Sequence, residues 1–429
     1  MSSRTLVPPI YVRPVAAGGL LDRRWFLSIG AAGLAAAGTA ALNVRAAPLE
    51  IPAHSRFPGR SFQPYGQPSS FALSGLKRGI GQPYGDIAPG AGAAFTPLQA
   101  LHGTITPASL HFERSHSGVP DIDPAQHQLV IHGLVKRPLV FSHNALLRYP
   151  MVSRTLFIEC SGNSFFQTLP EAQQLPVGML NGLLSCSEWT GVMLSTLLDE
   201  AGIDPKGRWL IAEGADAASM SRSIPLEKAL DDVMVALYQN GEPIRPEQGF
   251  PMRLVLPGFE GNMSVKWLRR LKVTEGPAHT KDETSKYTDL LPDGKALQFT
   301  YVMGVKSVIT RPSPKMTMGA PGFYEISGLA WSGAGRIRKV EVSADGGQSW
   351  ADAALQEPVL DRSVVRFRVP WRWDGTPVTL QSRATDEKGR VQEQRSVWSS
   401  RYAPGNRYHF NAIQTWRVDA KGEVTNAYL

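Results

Sequence analysis

The sequence predicts an α+β domain followed by a β-sandwich, and three observations carry that prediction. Between about residues 101 and 290, apolar runs of strand length alternate with short amphipathic helical stretches. From about residue 300 onward, short alternating strands recur at regular intervals with Gly- and Asp-containing turns between them. The 429 residues also include 41 glycines and 33 prolines, a content that favours turns and sheets over a helical bundle. A chain of this length can bury more than one core.

Taken in order, the first element is a segment of residues 1–46. Asp22-Arg23-Arg24-Trp25-Phe26-Leu27-Ser28 leads into an Ala/Gly-rich apolar run, and the whole resembles a twin-arginine export signal with a small-residue cleavage site near Val44-Arg45-Ala46. That route carries folded proteins, often with a cofactor already inserted, and it implies the periplasm. The apolar run is too short and too weakly hydrophobic for a permanent membrane anchor. Residues 47–100, rich in Pro, Gly, Ser and Ala, read as an extended lead-in that wraps over the body or as partly disordered chain.

The first domain is placed at residues 101–295. Leu129–Val135 and Thr155–Glu159 read as strands, and 193–202 reads as a helix stopped by Gly202. Ser223 reads as the cap of a second, short helix with Pro225 in its first turn. Val233–Leu237 and Met252–Leu256 read as strands, and the polar stretch 276–297 marks a boundary. The second domain, 296–429, follows the sandwich pattern. Lys339–Ser343, Val364–Pro370 and Val378–Ala384 alternate, with turns at Asp345-Gly346-Gly347 and Asp386–Gly389. Trp189, Trp267, Trp350, Trp371 and Trp373 are assigned to cores.

The formal net charge is +8, and half of it comes from five arginines and one aspartate within residues 1–46. The remainder has no Lys/Arg run of the kind that lines nucleic acid, so no nucleic-acid partner is expected. There are two cysteines, Cys160 and Cys186. In an oxidising compartment one reading is a single disulfide between them, in a cofactor-free periplasmic binding protein. A second reading starts from position. Cys160 ends the apolar run Phe157-Ile158-Glu159 and opens a Ser161-Gly162-Asn163 turn, where sheets present functional groups. A single thiolate there suits a soft transition metal. The chain contains no CxxC, CxxCH or HExxH motif, so zinc, covalent haem and iron–sulfur clusters find no support. Cys186 reads as a small buried apolar residue.

Several segments then carry a family resemblance. Phe112-Glu113-Arg114-Ser115-His116, followed by Pro120, is similar to the Phe-x-Arg-Asn-His…Pro segment of the sulfite oxidase family of molybdopterin enzymes. Cys160-Ser161-Gly162-Asn163 resembles that family's Cys-Ala-Gly-Asn loop. Gly182–Ser185 with Trp189–Val192, Tyr238–Ile244, Gly249–Arg253 and Val265–Leu268 follow in the family's order, and Val340–Trp350 resembles its Ig-like dimerisation domain. The resemblance spans roughly residues 101–420. It implies a molybdopterin-binding domain followed by an Ig-like β-sandwich dimerisation domain.

The resemblance further implies a role for each matching residue. Cys160 would be the protein ligand to molybdenum. Arg114 would hold the substrate anion through its planar fork, and Tyr287 would complete the catalytic set. Phe112, His116, Asp216, Gln248, Arg253, Ser264, Val265 and Lys266 would contact the cofactor, with Arg253 and Lys266 offsetting its phosphate. The implied reaction is oxidation of a sulfur compound, with a c-type cytochrome to accept electrons, no haem in this chain and a homodimer through the second domain. Two departures bear on substrate. The family's Asn-Arg-Arg is here Asn163-Ser164-Phe165, which removes a cation, and Gln248 replaces a histidine. A less cationic pocket suits sulfane sulfur on a carrier protein better than free sulfite. The Cys-Ser-Gly-Asn-Ser form is most similar to the molybdenum subunit of the family's bacterial sulfane (sulfite) dehydrogenases. Plain oxidation of free sulfite, and reduction of oxidised sulfur, are the alternatives within this chemistry.

Overall fold

The protein is described from a computed structural model, which covers residues 14–21, 52–59, 61–73, 76, 78–81 and 89–429. The twin-arginine motif and the apolar run after it lie outside the described residues. Among the described residues no helix is long and apolar enough to cross a membrane.

The first domain packs two five-stranded sheets. One runs Glu242–Pro243, Met234–Gln239, Leu184–Met193, Met151–Glu159, with Arg253–Val255 also paired to Met234–Gln239. The other runs Leu139–Ser142, Gln128–Gly133, Leu268–Thr274, Trp209–Gly214, Ser221–Pro225. All pairs are antiparallel except Leu268–Thr274 with Gln128–Gly133. The helix Leu194–Ala201 buries Leu194, Leu197, Leu198 and Ala201, a 3–4 spacing that places them on one face. It stops at Gly202, whose φ of 71° suits glycine, as the sequence predicts.

Three expectations are corrected. Ser223 does not cap a helix. It lies inside the strand Ser221–Pro225, where its amide and hydroxyl both donate to Glu283, and the helix begins after Pro225 at Leu226. A buried carboxylate out-competes the local capping geometry. Residues 47–100 are not wholly a lead-in. Gly92–Phe95 is a strand between Gly79–Ile80 and Glu113–Ser115, in a three-stranded sheet that carries Arg114. Trp350 is half-buried rather than core, with its ring under the Arg383 guanidinium at 4.2 Å.

The second domain is a sandwich of two sheets. One holds Lys306–Arg311, Gly322–Trp331, Val365–Trp373 and Ala354–Leu355. The other holds Ala351–Asp352, Ile337–Ser343, Val378–Asp386, Thr415–Val418 and Val424–Ala427. Trp331, Trp371, Trp373, Trp416 and Phe367 fill the space between them. That core does not end at the domain boundary. Phe157, Val177, Leu180, Leu184 and Cys186 of the first domain belong to the same buried cluster. The backbones also close on each other: a Cβ on Gly258 would stand 2.0 Å from the Gly333 carbonyl oxygen. The strand that leads to Cys160 is therefore packed against the sandwich.

Candidate active site

Cys160 and Cys186 are both free thiols. Strand register pairs Phe157 with Cys186 and leaves Cys160 just past the last pair, Glu159 with Leu184. The Cys186 thiol, buried in the shared core, lies 3.3 Å from the Ser363 hydroxyl. The disulfide reading fails on this geometry.

The loop that presents Cys160 is tied on every side. The Cys160 amide donates to Leu183 O at 3.0 Å, and the Asn163 amide donates back to Cys160 O at 2.8 Å. Asn163 spans the loop: its Oδ1 accepts from the Leu183 amide and its Nδ2 donates to Glu159 Oε1. Glu159 is wholly buried, and the sandwich supplies its other partners. Lys306 Nζ donates to Oε1 at 3.2 Å and Trp331 Nε1 to Oε2 at 2.6 Å. Ser161 is held by the Asn262 amide group and by the His409 backbone amide. A fixed loop means that the thiol has one position rather than many.

Above the thiol lies a cleft of about 660 Å³, a volume that includes its mouth open to solvent. Its lining brings together all eleven residues singled out from the sequence: Phe112, Arg114, His116, Cys160, Asp216, Gln248, Arg253, Ser264, Val265, Lys266 and Tyr287. They come from the strand Glu113–Ser115, the Cys160 loop, the turn at Asp216, the segment 248–267 and the chain after the helix Lys281–Thr284. The Arg114 guanidinium is close enough to act on the ionisation of both the Cys160 thiol and the Tyr287 phenol. Burial pushes the Cys160 thiol up, against the Gly162 amide and the Arg114 charge, which favour thiolate. Burial and the Cys160 charge push Tyr287 well above the usual phenol range. Arg114 Nη1 donates to Gly92 O at 3.1 Å and to Ser115 O, which aims its fork from the sheet.

The cations sit deeper. Arg253 is buried and donates to the carbonyl oxygens of Gln248 and Ser264, each at 2.9 Å. Burial pushes its pKa down to about 9. Lys266 donates to Glu247 O at 2.9 Å, and burial together with Arg253 brings its pKa down to about 7. Such a pair favours an anion between them. Gln248 has its amide group engaged by Phe112 O, at 2.8 Å, so it positions Phe112.

Comparison with known proteins agrees with this geometry. Residues 116–281 match the oxidoreductase molybdopterin binding domain, and residues 297–416 match the Mo-co oxidoreductase dimerisation domain. The crystal structure of the sulfane dehydrogenase SoxCD from Paracoccus pantotrophus superposes with a TM-score of 0.86 at 46% identity, covering 89% of this chain and 98% of that one. The chain belongs to the sulfite oxidase family of molybdopterin oxidoreductases. More distant members include nitrate reductase [NADH] of Solanum lycopersicum, 30% identical over 71% of this chain, and nitrate reductase [NADH] 2 of Phaseolus vulgaris, 32% identical over 65%. The chain spans 38% and 35% of the length of those two enzymes.

The cleft fits the family's cofactor on its own evidence. Three buried polar atoms of its lining have no hydrogen-bond partner within the protein: His111 Nε2, Asp216 Oδ1 and Asn262 Oδ1. A group with N–H donors would satisfy them, and unpaired buried acceptors are costly otherwise. The Arg253–Lys266 pair suits a phosphate. Cys160 offers a soft sulfur donor at the cleft wall, half-buried.

Three residues of this site were not legible in the motifs: Asn262, His111 and Tyr408. His111 stacks on Phe112 at 5.2 Å between ring centroids, and its Nδ1 lies 3.0 Å from Phe112 O. A carbonyl can only accept, so Nδ1 carries the proton and Nε2 is the free acceptor. Tyr408, from the second domain, packs on Tyr287 with ring centroids 5.5 Å apart and planes tilted by 43°, and burial pushes its phenol up. The first motif departure resolves differently from the sequence reading, while Gln248, the second, does line the cleft. Ser164 and Phe165 are not among the cleft-lining residues. Ser164 is buried and accepts from Lys306 Nζ at 2.7 Å, and Phe165 stacks on Phe166.

Proposed function

We propose that this chain is the molybdenum subunit of an exported dehydrogenase that oxidises sulfane sulfur held on a carrier protein and passes the electrons to a c-type cytochrome. The observation that carries this reading is the cleft in which the Cys160 thiol, the Arg114 fork and the Tyr287 hydroxyl converge, with the buried Arg253 and the half-buried Lys266 in the same lining. The 46% identity to a sulfane dehydrogenase supports the choice of sulfur over nitrate. The dimerisation-domain match supports a homodimer through the sandwich.

When bound, molybdenum–molybdopterin supplies two-electron oxygen-atom transfer to sulfur. Cys160 would hold the metal. Arg253 and Lys266 would hold the phosphate, while His111, Asp216 and Asn262 would meet the pterin, and Phe112, Gln248, Ser264 and Val265 would wall it in. Arg114 binds the sulfur oxyanion and Tyr287 orients it, both from fixed backbone. The Ser164 position places no cation in the cleft, which leaves anion recognition to Arg114 and favours a substrate whose carrier supplies further contacts.

The test uses the full chain matured in its own cell. Molybdenum should be stoichiometric and lost in Cys160→Ser. Turnover with cytochrome c should require thiosulfate-derived sulfur on a carrier. High turnover of free sulfite alone would make this a plain sulfite dehydrogenase. Absence of molybdenum from the matured protein would refute the enzyme.

A further inference from the structure

Residues 15–21, ahead of the twin-arginine motif, are built into the sandwich. The strand Val365–Trp373 pairs along its whole length with Gly322–Trp331 on one side. On the other side Ala354–Leu355 and the Gln356 amide cover Arg366, Phe367 and Arg368. The N-terminal segment takes up the edge beyond Arg368. Leu20 bridges Trp371 in antiparallel sense, and the Leu21 amide donates to Pro370 O at 3.2 Å. Trp371 Nε1 donates to Gly18 O at 2.6 Å, and the Ala17 amide donates to Ser349 Oγ at 2.9 Å. Leu20 is fully buried, in one cluster with Trp371 and Ala344.

The fit is specific. The Val15 amide donates to Leu20 O at 2.9 Å, closing a tight loop over Gly18 and Gly19. Those two have φ of 71° and 87°, and a Cβ on Gly19 would stand 2.1 Å from Arg372 O. Pairing on an open edge, a buried anchor side chain and a position that admits only glycine are the marks of a peptide site. The motif Arg23-Arg24-Trp25-Phe26-Leu27 follows Leu21 with one residue between.

We propose that the sandwich carries a binding site for the chain's own residues 15–21, and that this clasp restrains the adjoining twin-arginine motif once the second domain has folded. The second half rests on reading that motif as an export signal. The site exists only in the folded sandwich. Its walls, Pro370–Arg372 of one sheet and the Ala344–Ser349 turn after Ile337–Ser343 of the other, meet only there. An export receptor gripping the motif has to compete with Trp371 for the residues beside it. Cleavage near residue 46 vacates the groove.

The experiment compares full-length precursor, Gly19→Ala and Leu20→Ser, by amide hydrogen exchange in the purified folded proteins and by pulse–chase of processing in cells. In the wild type the Leu21 amide should be protected, and protection should fall about tenfold or more when the leucine is lost from its pocket. Both variants should be processed faster than wild type, with molybdenum content unchanged. A wild-type Leu21 amide exchanging at the rate of a free peptide overturns the site. Protection lost with an unchanged processing rate overturns the restraint. Arg23→Lys with Arg24→Lys tests the export reading separately. If that double variant is still exported, the signal reading fails while exchange still reports the clasp.

Discussion

His116 Nε2 lies 2.8 Å from the Tyr287 hydroxyl. Burial, reinforced by the charge of Arg114, brings the His116 pKa down to about 3, so the ring is neutral at physiological pH. Tyr287 sits at φ 55°, an uncommon backbone for a tyrosine, and Tyr408 packs on its ring. The hydroxyl is thus placed from three directions. Tyr287→Phe should lower kcat/KM about 10- to 100-fold, the size of one charge-assisted hydrogen bond to the substrate. His116→Ala should lower it less, because the ring packing remains. Steady-state kinetics check both, and a loss below about twofold in Tyr287→Phe would remove the tyrosine from the chemistry.

Lys266 makes the cofactor-free protein sensitive to pH. Its pKa is about 7 when folded and 10.5 for an ordinary lysine. Between those values the unfolded chain binds the extra proton, so stability of the cofactor-free protein rises with pH from about 7 upward, by at most ~1.4 kcal/mol per pH unit. Lys266→Met should flatten that rise. Bound phosphate should do the same by holding the lysine charged. Thermal unfolding of cofactor-free protein from pH 6.5 to 9.5 is the measurement.

Removing Lys306 leaves the Glu159 carboxylate buried without its cation. Lys306→Met should cost about 3–5 kcal/mol of stability and should reduce molybdenum loading. The double variant Glu159→Gln with Lys306→Met should recover a large part of the stability, since no uncompensated charge remains. If single and double variants unfold alike, the pair does not couple.

Tyr408→Ala should widen the cleft beside Tyr287 and lower kcat/KM about tenfold through lost positioning, while Tyr408→Phe should stay near wild type, because the packed ring is what positions Tyr287. Equal losses in the two variants would assign the effect to the hydroxyl instead.

The sequence made visible what is local. The Cys160 strand and loop, the Gly202 helix stop and the alternating sandwich strands all announce themselves within a few residues. Nine of the eleven candidate residues were reached through short motifs, Tyr287 through its spacing from Lys266 and Asp216 by a looser fit, and the fold draws them into one cleft. What stayed hidden depends on distant partners. Lys306 lies 147 residues from Glu159 in sequence, and nothing near Lys306 marks it as a buried cation. Tyr408 lies in a different domain from the motifs. Ser223 has the local pattern of a helix cap, but Glu283, 60 residues on, claims it. Ser164 and Phe165 looked like pocket residues because they follow Cys160 closely, yet the left-handed backbone at Ser164 turns the chain away.

The continuous core across Phe157, Leu184, Cys186 and Trp331 has an evolutionary and engineering consequence. The two domains are not interchangeable cassettes. A chimera that joins this cofactor domain to a relative's sandwich inherits the Cys160 loop but loses the groups that hold that loop still. Swaps should succeed only at a seam that transfers Lys306, Trp331 and the Tyr408–His409 turn along with the first domain.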